Sequence, residues 1–303
     1  MRWNVIGWSL VAGLMGLVGT ATAVSPHDPE LVCLREDHGF TLKDIPTPFV
    51  AIHFLGAPGS EEATKALAAY RERLWEVAGV YHVFVCRGER TAEHDEWAKG
   101  IPADRLMIAM DADGKLATEL EVSPSESATV VLNRAGEEVV REVRTDAKGW
   151  MGFAEFAKAM NEKTRAEVVK EYNLPKGSVL AVEGYDVVSY FADAKAVKGK
   201  KELVSWFNGV EYRFATAEHR EAFARKPEKY LPTYGGWCAS AMGAKGTKVE
   251  IDPTNFKVKD GRLFLFYKSA FGDALKDWNK HEAEWEPKAD QNWERVSGEK
   301  RGG

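Results

Sequence analysis

A helix breaker in the middle of the chain, Asn173-Leu174-Pro175-Lys176-Gly177-Ser178, separates two stretches that read by different rules. Before it, apolar runs suited to buried strands alternate with helical spacing. After it, short strands come in tight hairpins. The stretch leading into the breaker, 158–172, is charged and helix-prone. The expected organisation is a leading segment at 1–23, a first domain at 24–165, a linker at 166–172, a second domain at 173–297 and a disordered tail at 298–303. The two halves do not resemble each other, and no period of solenoid length runs through them. With 10 Trp, 9 Tyr and 14 Phe, the chain has the aromatic volume to fill a core in each half.

The first residues carry an address. Arg2 precedes an apolar run from Val5 to Val18, and Ala21-Thr22-Ala23 supplies the small-x-small pattern of a signal-peptidase site. The run is shorter than the ~20 apolar residues of a membrane span. An exported protein is expected, periplasmic or secreted, with no transmembrane segment in the mature chain. The formal net charge is −5, and loss of Arg2 with the leader makes it −6. That balance argues against a nucleic-acid partner, which needs a basic face. The cysteines are Cys33, Cys86 and Cys238, an odd count that leaves at least one thiol without a partner inside the chain. Whether Cys33 and Cys86 pair is left open by the sequence.

In the first half, Gly39 to Asp44 reads as a short strand and turn, and Phe49 to Leu55 as a buried strand broken by Ala57-Pro58-Gly59. Ser60 is placed to cap a helix, with Glu61 and Glu62 in its first turn and Ala63, Leu67, Tyr70 and Leu74 at helical spacing. Strands are expected at Tyr81 to Cys86 and Leu106 to Met110, and a short helix at Lys115 to Leu120. A hairpin follows, Thr129 to Leu132 and Glu138 to Val143, and a helix from Gly149 to Met160. Alternating strands and helices closed by a hairpin give an α/β or α+β sandwich. His53, inside a core strand, reads as a hydrogen-bonded core residue rather than a ligand. None of His38, His53, His82 and His94 stands at metal-ligand spacing.

The order of these pieces, with Asp111-Ala112-Asp113-Gly114-Lys115 and Thr129 to Gly136, resembles the thioredoxin fold of the peroxiredoxin and thiol-disulfide oxidoreductase type. The resemblance implies a thioredoxin-like α/β sandwich over the first half. It also locates what is missing. The attacking cysteine of that family stands at the turn where a helix N-terminus stabilises the thiolate. Here the turn reads Ala57-Pro58-Gly59-Ser60-Glu61-Glu62, and the peroxiredoxin Thr and Cys positions counted from Pro58 hold Glu62 and Lys65. Cys86 ends an inner strand and reads as a core thiol. A redox-silent domain, used for docking or scaffolding, is the expectation.

In the second half, Val179 to Val182 reads as a short strand, and Asn208-Gly209 turns a hairpin of Leu203 to Phe207 with Val210 to Phe214. Thr216 caps a helix from Ala217 to Arg225, and a second short helix spans Trp237 to Met242. Asp260-Gly261 turns another hairpin, Phe256 to Val258 with Leu263 to Tyr267. Ser269 is expected to cap a last helix with Phe271, Leu275 and Trp278 on one face. Gly184-Tyr185-Asp186 with Ser189-Tyr190-Phe191, Tyr212-x-Phe214, Phe223-x-x-x-Pro227-x-x-Tyr230, Tyr234-Gly235-Gly236-Trp237-Cys238-Ala239, Asp252-Pro253 and Ala289-Asp290 with Trp293 resemble, in order, the YHS domain family. The whole then reads as an α/β thioredoxin-like sandwich followed by a small α+β YHS domain.

YHS modules imply metal binding through cysteines, but the corresponding positions here hold Ser189, Ala215 and His219, with Val187 in place of a proline. Cys238 stands on its own reasoning. It follows two glycines at a helix start, and Met242 shares its helix face. Thiolate plus thioether suits Cu(I) or another heavy-metal ion, and His219 is the candidate third ligand. The rival reading packs Cys238 as a small buried residue against Tyr234 and Trp237, with Met242 filling the core. Three functions remain open at this point: a non-enzymatic exported protein that binds a soft metal, a module for contact with an envelope protein partner, and a thiol enzyme using Cys238 with His219 as base.

Overall fold

The computed structural model describes residues 30–34, 39–55, 60–99, 105–144, 151–165 and 171–299. The leader at 1–23, the turn at 56–59, residues 166–170 of the expected linker and residues 300–303 of the tail lie outside them.

The first half is one mixed sheet of seven strands. They are β1 (Leu31–Cys33), β2 (Gly39–Phe40), β3 (Phe49–Phe54), β4 (Val80–Arg87), β5 (Leu106–Asp111), β6 (Ser127–Asn133) and β7 (Glu138–Arg144), in spatial order β2-β1-β5-β4-β3-β6-β7. β3, β4 and β5 run parallel, and β6 and β7 return antiparallel beside β3. The parallel strands need helical crossovers. α1 (Glu61–Arg73) supplies the first, and α2 (Ala92–Ala98) lies in the connection from β4 to β5. The Ser60 side chain caps α1 by accepting from the Ala63 N–H at 3.2 Å. After β5 come α3 (Lys115–Glu119) and, past the β6–β7 hairpin, α4 (Phe153–Arg165).

Every residue of β3 is buried, because helices cover both faces of the sheet. Phe49, Ala51 and Leu55 join Tyr70 of α1 and Phe153, Phe156 and Met160 of α4 on one side. Val50, Ile52 and Phe54 join Leu116 and Ala117 of α3 on the other. α4 begins at Phe153, four residues inside the expected start at Gly149, which lies outside the described residues, and runs five residues beyond Met160.

The second half is built from two hairpins and four helices. These are α5 (Ser189–Ala192), β8 (Lys200–Phe207), β9 (Val210–Phe214), α6 (Ala217–Arg225), α7 (Ala239–Lys245), β10 (Asp252–Lys259), β11 (Arg262–Phe266), the tiny pair β12 (Lys268–Ser269) and β13 (Gly272–Asp273), and α8 (Ala274–Ser297). Positive φ at Asn208 (48°), Gly209 (71°), Asp260 (50°) and Gly261 (73°) gives both hairpins the mirror-image turns that match strand twist. β11 divides two cores by its alternation. Leu263 and Leu265 face Phe223, Tyr212 and Val187, while Phe264 and Phe266 face Met242, Trp278 and Trp293.

Two expectations are corrected here. Val179 to Val182 is not a strand: Ala181–Gly184 form a single 3-10 turn with left-handed residues inside it. The last helix is not capped by Ser269. Asp273 caps it, its carboxylate accepting from the Leu275 N–H at 3.2 Å, and Phe271 stands wholly exposed on the β12–β13 turn outside the helical face. Ser269 is already committed to that turn, where its hydroxyl accepts from the Phe271 N–H. α8 then runs 24 residues through Pro287. Pro287 and Ala283 are both exposed, so the carbonyl left without an N–H lies on the side open to water. α8 packs tightly on α7, where a Cβ on Gly243 would come within 2.7 Å of Trp285.

The halves are joined at the end of the sheet where the parallel strands begin. The Ala78 N–H donates to the Trp206 carbonyl at 2.7 Å and the Gly79 N–H to the Ala224 carbonyl at 3.1 Å. Ala78 itself is buried in the second half's core. Arg105 and Arg225 lie over the Trp75 ring at 5.4 Å and 5.1 Å. Arg105 is 3% exposed and donates to the Val77 and Val80 carbonyls. Burial without a carboxylate, beside Arg225, pushes its guanidinium down to about 9. No helix among the described residues is long and apolar enough to cross a membrane.

Candidate functional site

The structure offers three places where chemistry can be sought: the start of α1, the surroundings of Cys238 and His219, and a cavity in the second half.

At the start of α1, Ser60 is spent as a helix cap and no thiol is present. All three cysteines are free and buried. Cys86 is enclosed within β4, and burial pushes its thiol up to about 12. Cys33 pairs with Ala109 across the β1–β5 ladder, and Cys86 with Met110 across β4–β5. The two sit on opposite faces of the sheet, Cys86 in the α1–α4 core and Cys33 in the other, so the open pairing resolves as two separate thiols. His53 is a hydrogen-bonded core residue. Its Nε2 lies 3.0 Å from His82 Nδ1 and its Nδ1 lies 3.0 Å from Thr129 Oγ1.

Cys238 stands as the residue before α7, 1% exposed, its N–H donating to the Val249 carbonyl at 3.0 Å. Met242 is one turn on, fully buried among Tyr234, Phe264 and Trp278. These two share a helix turn, with the Met242 N–H donating to the Cys238 carbonyl. His219 has other partners. Its Nδ1 lies 2.7 Å from Asp186 Oδ2 and its Nε2 3.9 Å from Asp193. None of its hydrogen bonds or ion pairs reaches Cys238 or Met242. Among the described residues no three His, Cys, Asp or Glu side chains converge in a metal-binding group. Of the donor set suggested by the sequence, Cys238 and Met242 share one turn, while His219 hydrogen-bonds to Asp186.

Asp186 is wholly buried and accepts four hydrogen bonds. Val188 and Ser189 N–H donate to Oδ1 at 2.9 Å and 3.3 Å, and Ala215 N–H and His219 Nδ1 donate to Oδ2 at 2.8 Å and 2.7 Å. An Asp that orients a His supplies two of the three members of a catalytic triad. Among the described residues no hydroxyl or thiol hydrogen-bonds to the far nitrogen, and the carboxylate ties the segment before α5 to the end of β9 and the start of α6.

The cavity lies in the second half and encloses about 340 Å³, at the lower end of the range for small-molecule sites. Leu174, Pro175, Val210, Leu231 and Ile251 supply apolar wall, and Tyr172 and Tyr212 supply aromatic wall. Two backbone turns frame it. Val182 (φ 45°), Glu183 (φ 50°) and Gly184 (φ 79°) are left-handed in the first, and Tyr234 (φ 58°), Gly235 (φ 60°) and Gly236 (φ 88°) in the second. Val182, Glu183, Gly235 and Gly236 line the cavity. A β-branched residue in this region is a genuine outlier. Gly235 is obligatory, because a Cβ there would lie 2.6 Å from Trp293 and 2.7 Å from Tyr172. Asn173 ties the second turn down, its N–H donating to the Gly235 carbonyl at 2.9 Å and its side chain to that of Gly236 at 3.1 Å. Sequence reasoning missed the cavity. Its only signal was the Gly-Gly pair, read there as a lead into a helix.

No family model matches this chain. No curated protein matches it. Solved structures do resemble part of it. Peroxidoxin BcpB from Mycobacterium tuberculosis is 17% identical, covering 46% of this chain and 92% of its own, with a TM-score of 0.38. The exposed lipoprotein thioredoxin Etrx1 of Streptococcus pneumoniae is 22% identical, covering 43% of this chain and 98% of its own, with a TM-score of 0.33. The bacterioferritin comigratory protein of Xanthomonas campestris is 18% identical, covering 50% and 94%, with a TM-score of 0.36. Scores of that size carry no weight alone; strand order and direction decide. β4-β3-β6-β7, with β3 and β4 parallel, β6 and β7 antiparallel, α1 crossing over and α4 closing, is the thioredoxin arrangement. The first half has a thioredoxin-like fold. The first helix of the thioredoxin-like domain starts at Ser60-Glu61-Glu62, without a cysteine.

Proposed function

We propose that this chain is an exported, non-enzymatic binding protein, in which a redox-silent thioredoxin-like domain carries a YHS-type domain that holds a small ligand in its cavity. The observation that carries this reading is the contrast between the two halves. The first has no nucleophile where its fold would use one, and its thiols are enclosed. The second keeps an apolar cavity between two turns held in costly backbone conformations, and such strain clusters at ligand clamps and active sites. The YHS assignment is supported by where its words fall. Tyr185-Asp186 anchors the first turn, Tyr234-Gly235-Gly236 forms the second, and Trp293 packs against Gly235.

The test uses the native full chain and a thiol probe. All three cysteines are expected to stay unmodified at pH 8 until guanidinium unfolds the protein, since all three are buried and burial also pushes the Cys86 thiol up to about 12. Thiol–disulfide exchange with a dithiol substrate should not exceed the rate without protein. One fast-reacting thiol, or catalysed exchange, overturns the silent assignment.

A second reading keeps the soft metal and rests on Cys238 and Met242 sharing one buried turn. It expects a one-to-one Cu(I) complex that Cys238→Ser abolishes. Binding that survives the substitution rejects it.

The strained turn makes its own prediction. Glu183 is exposed at φ 50°, a conformation that costs a non-glycine residue about 1–2 kcal/mol. Glu183→Gly should therefore be more stable than Glu183→Ala by about 1 kcal/mol, the reverse of the ordinary helical order. Thermal unfolding of the two variants decides this. If the alanine variant is the more stable, the turn carries no strain.

A further inference from the structure

The charge around the cavity is one-sided. Glu183 and Glu250 are the only charged side chains that line it, and both are carboxylates. Neither takes part in an ion pair among the described residues. Two lysines of this half are used elsewhere: Lys198 Nζ donates to the Glu183 backbone carbonyl at 2.7 Å and lies over the Tyr185 ring, and Lys248 pairs with Glu171. Neither lysine lines the cavity. The remaining wall is apolar and aromatic, with Tyr172 and Tyr212 among its lining residues. An apolar pocket rimmed by unpaired carboxylates favours a ligand with an apolar body and a positive end. A ligand carboxylate would meet two like charges and no basic group.

We propose that the cavity takes a small amphipathic monocation, an apolar or aromatic body bearing one ammonium group held near Glu183 and Glu250. The inference rests on the reading that this cavity is the protein's binding site. Both glutamates are exposed at the rim, so solvent and salt weaken the attraction. From the small worth of exposed ion pairs, the ammonium should improve affinity by about three- to tenfold over a neutral isostere.

The test titrates the full chain calorimetrically with 4-phenylbutylamine, 4-phenylbutanol and 4-phenylbutyrate. The wild type should bind the amine several-fold tighter than the alcohol and bind the acid most weakly. The preference should shrink in 0.5 M salt. Glu183→Gln with Glu250→Gln should abolish the amine's advantage and leave the alcohol's affinity unchanged. Leu231→Trp, which fills the cavity from its wall, should remove binding of amine and alcohol alike. If amine and alcohol bind equally, and Leu231→Trp blocks both, the charge inference is wrong and the cavity reading stands. If no probe binds, or if Leu231→Trp leaves binding intact, the cavity reading fails and the charge inference with it. Circular dichroism of each variant, and melting temperatures close to wild type, show that lost binding is not lost folding.

Discussion

Acidification from pH 6.5 to pH 4.5 should destabilise the thioredoxin-like domain by at least about 2 kcal/mol. The cause is the pair His53 and His82. Both are wholly buried, 3.0 Å apart through Nε2 and Nδ1. Tyr70 from α1, Phe84 from β4 and Phe156 from α4 surround them, with Thr129 from β6 as the hydrogen-bond partner of His53. His82 Nε2 is buried with no hydrogen-bond partner. Burial pushes His53 down to about 3 and His82 well below its ordinary value, the latter helped by the charges of His53 and Arg105. The unfolded chain takes up protons at both imidazoles near 6.5, and the folded chain does not. Their contribution is therefore complete above about pH 6.5 and is lost as pH falls toward 3. Each histidine gives a slope of about 1 kcal/mol per pH unit. Over two units His53 alone gives a loss of about 2 kcal/mol, and His82, lowered in the same direction, adds to it, against a domain's ~5–15 kcal/mol.

Hydrogen exchange of the β3 and β4 amides between pH 4.5 and 7.5, corrected for intrinsic rates, measures that loss. His53→Phe with His82→Leu should flatten the profile. In the wild type, the His53 imidazole should titrate near 3 and that of His82 well below its ordinary value while the domain is folded. A flat wild-type profile, or an imidazole titrating near 6.5 in the folded protein, contradicts this account.

The second large effect concerns Asp186. Replacing it by Ala removes the acceptor of four hydrogen bonds at a site with no exposure. The Val188, Ser189 and Ala215 N–H groups and His219 Nδ1 lose their common partner. Leaving buried donors unsatisfied costs about 1–3 kcal/mol each, less where water reaches them, so the total should be about 3–5 kcal/mol. His219→Ala removes one donor of four from a carboxylate that keeps the rest, and should cost about 1–2 kcal/mol. Denaturant unfolding of the two variants gives the order. Equal losses would mean that the ion pair, rather than the backbone network, is what Asp186 supplies.

Much of the fold was legible because local rules coincided with it. The continuous apolar run Phe49 to Leu55 announced a strand covered on both faces, Ser60 announced α1, and Asn208-Gly209 and Asp260-Gly261 announced their hairpins. Reading failed where a tertiary contact overrode a local signal. Val179 to Val182 has strand composition, yet Val182 is turned left-handed at the cavity wall. Ser269 is a good cap residue, but Asp273 lies closer to the first apolar contact of α8. The candidate site was less legible than the fold. Cys238 and Met242 were correctly placed on one turn, but the partner of His219 is Asp186, thirty-three residues earlier, and no spacing rule reaches that far. The cavity is assembled from five separated segments, so only the fold brings its walls together.

The most direct test of the account is hydrogen–deuterium exchange of the full chain with and without 4-phenylbutylamine. Protection is predicted at residues 172–175, 181–183, 231–236 and 250–251, with no change at the start of α1. Protection at the first turn of α1, or none in those four segments while the amine binds, would contradict it.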